Sequence, residues 1–271
     1  MPIDPSTQSI DIRRIFTGLA LAAVLLLALW IRGLPLLFVI LLVCALGLWE
    51  FYSLFWGSSR VPSRICAIVL GWCMICLTWL HRPQDALVCL GAGFVLASMS
   101  FLFRWDVVED DNAFASSGIF MAGLAYVPLL LLPATYLSTT KLIFVIAAVA
   151  ISDTSAYFVG TRFGHHKLWP RVSPKKSSEG AVGSLVGCVI FCAIYGEIYG
   201  KTGWFSFALL GIAVNAFAQL GDLFESALKR SVNIKDSGNI LPGHGGILDR
   251  ADSLLFAMPM VAVVDQWFFF F

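Results

Sequence analysis

Apolar runs long enough to cross a bilayer alternate with short polar breaks along almost the whole chain. At about 20 apolar residues per crossing, this pattern predicts nine helical spans, at 15–31, 34–55, 65–80, 86–103, 114–137, 142–159, 181–199, 205–228 and 251–271. The third is short, and Pro128 and Pro133 predict a kinked or broken fifth helix, because proline removes a backbone donor and collides with the preceding turn. Spacings such as Gly183-x-x-x-Gly187 and Gly196-x-x-x-Gly200 would let helices approach closely. The expected fold class is therefore an all-α polytopic membrane protein of about nine transmembrane helices. We divide it into five N-terminal spans (1–137) and a C-terminal region of four spans with two polar loops (138–271), the latter holding a polar cavity that faces the cytosol.

Composition excludes the soluble alternative. With 59% hydrophobic and 13% charged positions among 271 residues, and a mean hydropathy of +0.84, the chain carries more apolar surface than one soluble core could bury. The run after Arg13 and Arg14 lacks a small-residue cleavage site and is taken as the first span. An N-terminus in the cytosol places fourteen of the 18 basic residues inside and only Arg32, Arg82, Lys141 and Lys201 outside, which satisfies the positive-inside tendency. Nine of those fourteen belong to the loops after spans six and eight, so the orientation rests mainly on these loops. The seven cysteines lie mostly in apolar runs as packing residues, Cys73-x-x-Cys76 included, and predict no disulfide framework. Glu109, Asp110 and Asp111 are expected in a solvated loop, and His165 and His166 are assigned no role.

Chemistry concentrates in the C-terminal half. Span eight ends in GDLFESALKR, where Asp222, Glu225, Ser226 and Lys229 fall on one helical face. A helix from 205 to 230 would be about 39 Å long against a hydrocarbon core near 30 Å, so its last turns should emerge among the lipid headgroups with Asp222 near the boundary. The stretch that follows, SVNIKDSGNILPGHGGILDRAD, gathers Lys235, Asp236, His244, Asp249, Arg250 and Asp252 around a glycine-rich turn. There the backbone N–H groups of Gly245 and Gly246 can approach an anion. Carboxylates leaving span eight (Asp222) and entering span nine (Asp249) are expected to converge on a divalent cation. Magnesium is the natural choice, because it prefers oxygen ligands and completes its shell with water and phosphate. Asp153, in ISDTSAYFVGTRFG, lies about two turns inside span six, where a charge costs about 2.5–3.5 kcal/mol on insertion scales and so must face protein or a watery cavity. Ser173, Lys175, Lys176, Ser177 and Ser178 look like a phosphate-contacting loop.

The run from Ser226 to Asp252 resembles the signature of the phosphatidate cytidylyltransferases, or CDP-diacylglycerol synthases. The residues that carry the resemblance are Ser226, Lys229, Arg230, Lys235, Asp236, His244, Gly245, Gly246, Asp249, Arg250 and Asp252. GDLFES and SPKKSSEG also look like family motifs, so the resemblance covers about 153–252 well and the first 140 residues only in hydropathy. Ala251 replaces a larger apolar residue or threonine, and Ser177 a common threonine.

The resemblance implies transfer of a cytidylyl group from CTP to phosphatidic acid, with release of pyrophosphate, at the cytosolic face of a bacterial inner membrane. It also implies a homodimer, magnesium and room for a second, monovalent cation; no nucleic-acid partner is expected. On this reading Asp222 and Asp249 bind the metal, with Asp252 and Asp153 as direct or outer partners, and Asp222, Lys229, Asp249 and Asp252 form the catalytic set. Lys229, Arg230, Lys235 and Arg250 bind phosphates, joined by Ser173, Ser226 and Lys176. Asp236, His244, Gly245 and Gly246 shape the nucleotide turn. The alternatives are a CTP-dependent transferase or kinase acting on another membrane lipid and, from a different class, a transporter that uses Asp153 and Asp222 as ion carriers.

Overall fold

The computed structural model describes residues 18, 20–238, 245–268 and 270–271. The elements in order are α1 (Ala20–Ile31), α2 (Gly33–Trp56), α3 (Val61–Trp79), α4 (Pro83–Asp106), α5 (Ala113–Tyr126), the short α6 (Pro128–Leu131) and α7 (Pro133–Tyr136), and α8 (Thr139–Phe163). They are followed by strands β1 (Lys167–Trp169) and β2 (Ser173–Ser177), then α9 (Ser178–Tyr199), α10 (Gly203–Ser231) and α11 (Leu248–Phe268). Among the described residues seven segments are long and apolar enough to span a bilayer: α2, α3, α4, the broken Ala113–Tyr136 segment, α8, α9 and α10. The chain is a polytopic helical membrane protein. Of the first predicted span, α1 covers 20–31, while 15–17 and 19 lie outside the described residues.

Local chemistry sets the boundaries. Pro62 and Pro83 stand in the first turns of α3 and α4, where a missing N–H costs nothing. Ser138 and Ser177 cap α8 and α9, their hydroxyls accepting from the N–H of Lys141 at 3.3 Å and Gly180 at 3.1 Å. The fifth span breaks at both prolines, as the sequence predicts. The stretch expected to be a phosphate-contacting loop forms the second strand of an antiparallel hairpin, with Lys167 opposite Ser177 and Trp169 opposite Ser173. Its strands are too short to register as an alternating pattern, and pairing satisfies the backbone groups of a segment between two helices.

The chain forms two compact units, Met1–Tyr136 with Asp236–Asp249, and Leu137–Lys235 with Arg250–Phe271. The first unit thus joins the stretch Asp236–Asp249 to the N-terminal helices. In the first unit α2, α3, α4 and the α5–α7 segment pack together. Tyr52 on α2 donates to the carbonyl of Phe120 on α5 at 2.7 Å. The buried Arg64 of α3 holds the end of α2, donating to Ser53 Oγ at 3.0 Å and to the carbonyl of Gly57.

In the second unit α9 packs against both α8 and α10. The small-residue spacings serve this packing: a Cβ at Gly183 or Gly187 would strike Val159 or Ser155 of α8, and one at Gly196 or Gly200 would strike Phe207 of α10. A buried polar network crosses the same three helices. Asn215 Nδ2 donates to Ser152 Oγ at 2.9 Å and to Ser184 Oγ at 2.5 Å, the two hydroxyls lie 2.8 Å apart, and Gln219 Nε2 reaches Asn215 Oδ1 at 2.7 Å. Interhelical hydrogen bonds in membranes average about 0.6 kcal/mol each, so the network contributes more to register than to stability.

Candidate active site

The second unit brings charged side chains of four elements together around Asp222. Asp222 lies on α10 nine residues before its last residue, and its Oδ2 meets Lys176 Nζ of β2 at 2.6 Å. The hairpin therefore delivers a cation to a helical carboxylate, and its own base is held by α9. His166 donates its backbone N–H to Glu179, its ring Nδ1 lies 2.6 Å from Glu179 Oε1, and Ser178 donates to the His166 carbonyl at 2.9 Å. His166 accordingly anchors the strand pair.

Asp153 from α8 lies within electrostatic reach of Asp222, Lys176 and Arg250. Asp252, buried in the first turns of α11, is within reach of Asp222, Asp153 and Lys229. Three carboxylates from three helices thus share one field with three basic side chains. Gly221 makes the approach possible, since a Cβ there would sit 2.4 Å from the Asp252 carbonyl oxygen.

The predicted polar face of α10 is present. Ser226 Oγ donates to Asp222 Oδ1 at 3.3 Å, and Lys229 pairs with the buried Glu225 one turn earlier. Arg230 turns away from this face and donates to the Ile234 carbonyl at 3.1 Å, which fastens the chain as it leaves the helix. Ser173 opens β2 opposite Trp169, and Lys235, Asp236 and Arg250 are exposed.

Asp249 belongs to the first unit, and its carboxylate is engaged there. It accepts from the N–H of Gly246 at 2.8 Å and of Ser237 at 3.2 Å. Gly245 has a φ of 80°, a left-handed value that glycine adopts without strain. His244 lies outside the described residues.

Three features escaped the sequence reading. Glu50 of α2 is a buried carboxylate that accepts from the N–H of Ile247 at 3.0 Å and Leu248 at 2.8 Å. A lone acid inside an apolar run was a usable signal, because an intramembrane charge needs a partner. The Asn215 network and the contact at Gly221 left weaker traces, a few small polar residues and a glycine beside Asp222.

The donor set suits a hard divalent ion, being carboxylate oxygens beside basic groups able to receive phosphate. Among the described residues no three His, Cys, Asp or Glu side chains are placed to cage a metal by themselves. Magnesium does not ask for such a cage, since it commonly takes one or two carboxylates and fills its shell with water and phosphate. A separate groove of about 750 Å³ runs along α8 and α9 with a mainly apolar lining that includes Phe158, Val159, Val182 and Val186.

Comparison with known proteins identifies the family. The chain is 31% identical over 252 residues to a phosphatidate cytidylyltransferase of Brucella abortus, covering 92% of this chain and 90% of that one. A protein of the same name from Staphylococcus saprophyticus is 35% identical over 65% of this chain and 67% of its own, and one from Bacillus subtilis is 43% identical over 45% and 46%. The model of the cytidylyltransferase family matches residues 12–268. With a family model matched over residues 12–268 and a relative 31% identical over 92% of this chain, the chain belongs to the cytidylyltransferase family.

Proposed function

We propose that the protein is a phosphatidate cytidylyltransferase, joining CTP and phosphatidic acid to give CDP-diacylglycerol and pyrophosphate. The observation that carries the reading is the charged cluster around Asp222, where strand β2 brings Lys176 to 2.6 Å and Asp153 of α8 and Asp252 of α11 lie within electrostatic reach, in a chain otherwise built for lipid. The relatives' names supply the two substrates. One substrate is soluble and the other is held in the bilayer, so a charged site on membrane helices lets each react without leaving its own phase.

In the reaction a phosphate oxygen of phosphatidic acid attacks the α-phosphorus of CTP. A new P–O bond forms, the bond to the β-phosphate oxygen breaks, and pyrophosphate leaves with that electron pair. The attacking monoester is already anionic near neutral pH, so no strong general base is required. The difficulty is the approach of two anions, which cationic groups must offset. Lys176, Lys229 and Arg250 fit that role by position, and Lys235 and Arg230 by their place in the signature. Asp222 would be a magnesium ligand, with Asp153 and Asp252 as direct or outer partners, and the ion when bound would neutralise phosphate charge and favour departure of pyrophosphate. Asp249 keeps its assignment as a ligand on the strength of the sequence pattern. Gly245 and Gly246, with Asp236 and His244, are assigned to the nucleotide.

The same reading carries nine crossings, α1 and α11 included, with the N-terminus and the active site in the cytosol and the chain in a bacterial inner membrane. The fourteen-to-four distribution of basic residues supports that orientation. The homodimer implied by the resemblance belongs to the proposal as well, and the mass of the detergent-solubilised protein tests it.

Purified protein given CTP, phosphatidic acid and magnesium should release pyrophosphate, and Asp249→Asn should abolish turnover in a protein that remains folded. Full activity in that variant would reject Asp249 as a ligand. A panel of other lipid phosphates separates this reaction from transfer to a different membrane lipid. Release of pyrophosphate from none of them would reject the reaction class.

A further inference from the structure

Two carboxylates close the base of the segment that carries the glycine-rich signature, and one of them comes from far away in the chain. Glu50, 2% exposed on α2, accepts from the backbone N–H of Ile247 and Leu248 and from Ser237 Oγ at 3.4 Å. Asp249 accepts from the N–H of Ser237 and Gly246. Both ends of the segment, Ser237 on one side and Gly246 to Leu248 on the other, are therefore tied through these acids. The fit leaves no spare room, since a Cβ at Gly238 would lie 2.7 Å from Glu50 Oε1 and one at Gly246 2.5 Å from Oε2.

We infer that Glu50 is a positioning residue for the proposed reaction: it fixes where α11 begins and so sets the Gly245–Gly246 turn and Asp249. The first N–H groups of a helix have no partners within it, and here a carboxylate supplied by α2 receives two of them. The negative charge also matches the partial positive charge at a helix start. A glutamine keeps the shape but points an N–H₂ donor at backbone donors, and an aspartate keeps the charge but falls one methylene short. The assignment of the turn to the nucleotide rests on the reading above, whereas the tethering does not.

The test compares the full-length wild type with Glu50→Gln and Glu50→Asp in detergent, in two measurements. Amide hydrogen exchange over 236–250, read without substrate, should quicken about tenfold in Glu50→Gln, and the KM for CTP should rise about tenfold while that for phosphatidic acid stays within about twofold. Glu50→Asp should recover part of both. A folded Glu50→Gln protein with wild-type exchange, or with both KM values unchanged, would overturn the inference. If Glu50→Gln does not fold, Ser237→Ala, which removes one of the donors, carries the same exchange measurement; no change there in either Ser237→Ala or Glu50→Asp would equally overturn it. Failure of the wild type to consume CTP would reject the proposed reaction and leave the exchange comparison to decide Glu50.

Discussion

Gly221 rests on the backbone of Asp252: a Cβ on the glycine would stand 2.4 Å from the Asp252 carbonyl oxygen and 3.2 Å from the Cα of Ser253. This contact places the start of α11 against α10 one residue before Asp222, and through it two carboxylates of the candidate site come under one field. Backbone atoms cannot swing aside as a flexible side chain can, so the helices would have to separate to admit even a methyl group.

Gly221→Ala is therefore expected to lower kcat at least tenfold, with overpacking of about 1–3 kcal/mol visible in thermal unfolding. Gly118→Ala is the control, since nothing lies within 4 Å of its would-be Cβ. Turnover in Gly221→Ala equal to that of Gly118→Ala would show that the helix contact does not set the site.

The ion pair between Lys176 and Asp222 predicts an effect in two directions. Replacing Lys176 by glutamine removes a cation that competes for Asp222, so the magnesium concentration giving half-maximal activity should fall. Loss of a phosphate contact should at the same time lower kcat about tenfold, the equivalent of about 1.4 kcal/mol. Titration of activity with magnesium reads both. A rise in the magnesium requirement would contradict the arrangement.

Asp110, in the loop between α4 and α5, accepts from Arg104 at 2.6 Å and from Arg60 at 3.2 Å. Hydrogen bonding from Arg104, then the N–H of Asn112 and the charges of both arginines hold its carboxyl below the usual carboxylate range. A depressed carboxyl adds stability that is fully present above its unfolded pKa, about 3.9, and is lost as pH falls through the lower folded value. Asp110→Asn should therefore unfold at a lower temperature than the wild type by a constant margin from pH 7 to 5. The margin should close below about pH 4. A margin that closes between pH 7 and 5 instead would remove Asp110 as its source.

Much of the site could be read from spacing because spacing within a helix is a local property. Asp222 and Ser226, four residues apart, do meet on one face of α10, and so do Glu225 and Lys229. The breaks at Pro128 and Pro133 were equally legible, since proline acts on its own turn. The hairpin of β1 and β2 was not, because strands of three and five residues carry too little pattern to be told from a loop. Glu50 and Asn215 were missed for a different reason. Each acts on residues remote in the chain, Glu50 on Leu248 and Asn215 on Ser152 and Ser184, and no period in the sequence names a partner across a bundle.

By itself, then, the sequence determined that the chain lives in a membrane, about where its helices begin and break, and that charged residues gather in two stretches of its C-terminal half. Each of these follows from transfer of side chains into lipid or from the geometry of a single helix. Only the tertiary structure decided that Lys176 reaches Asp222, that Gly221 seats α11, and that Asp249 and Glu50 grip the same segment. Those pairings depend on which helix faces which, and that is set by packing and hydrogen bonding across the bundle, where residues far apart in sequence must fit at close to van der Waals distance.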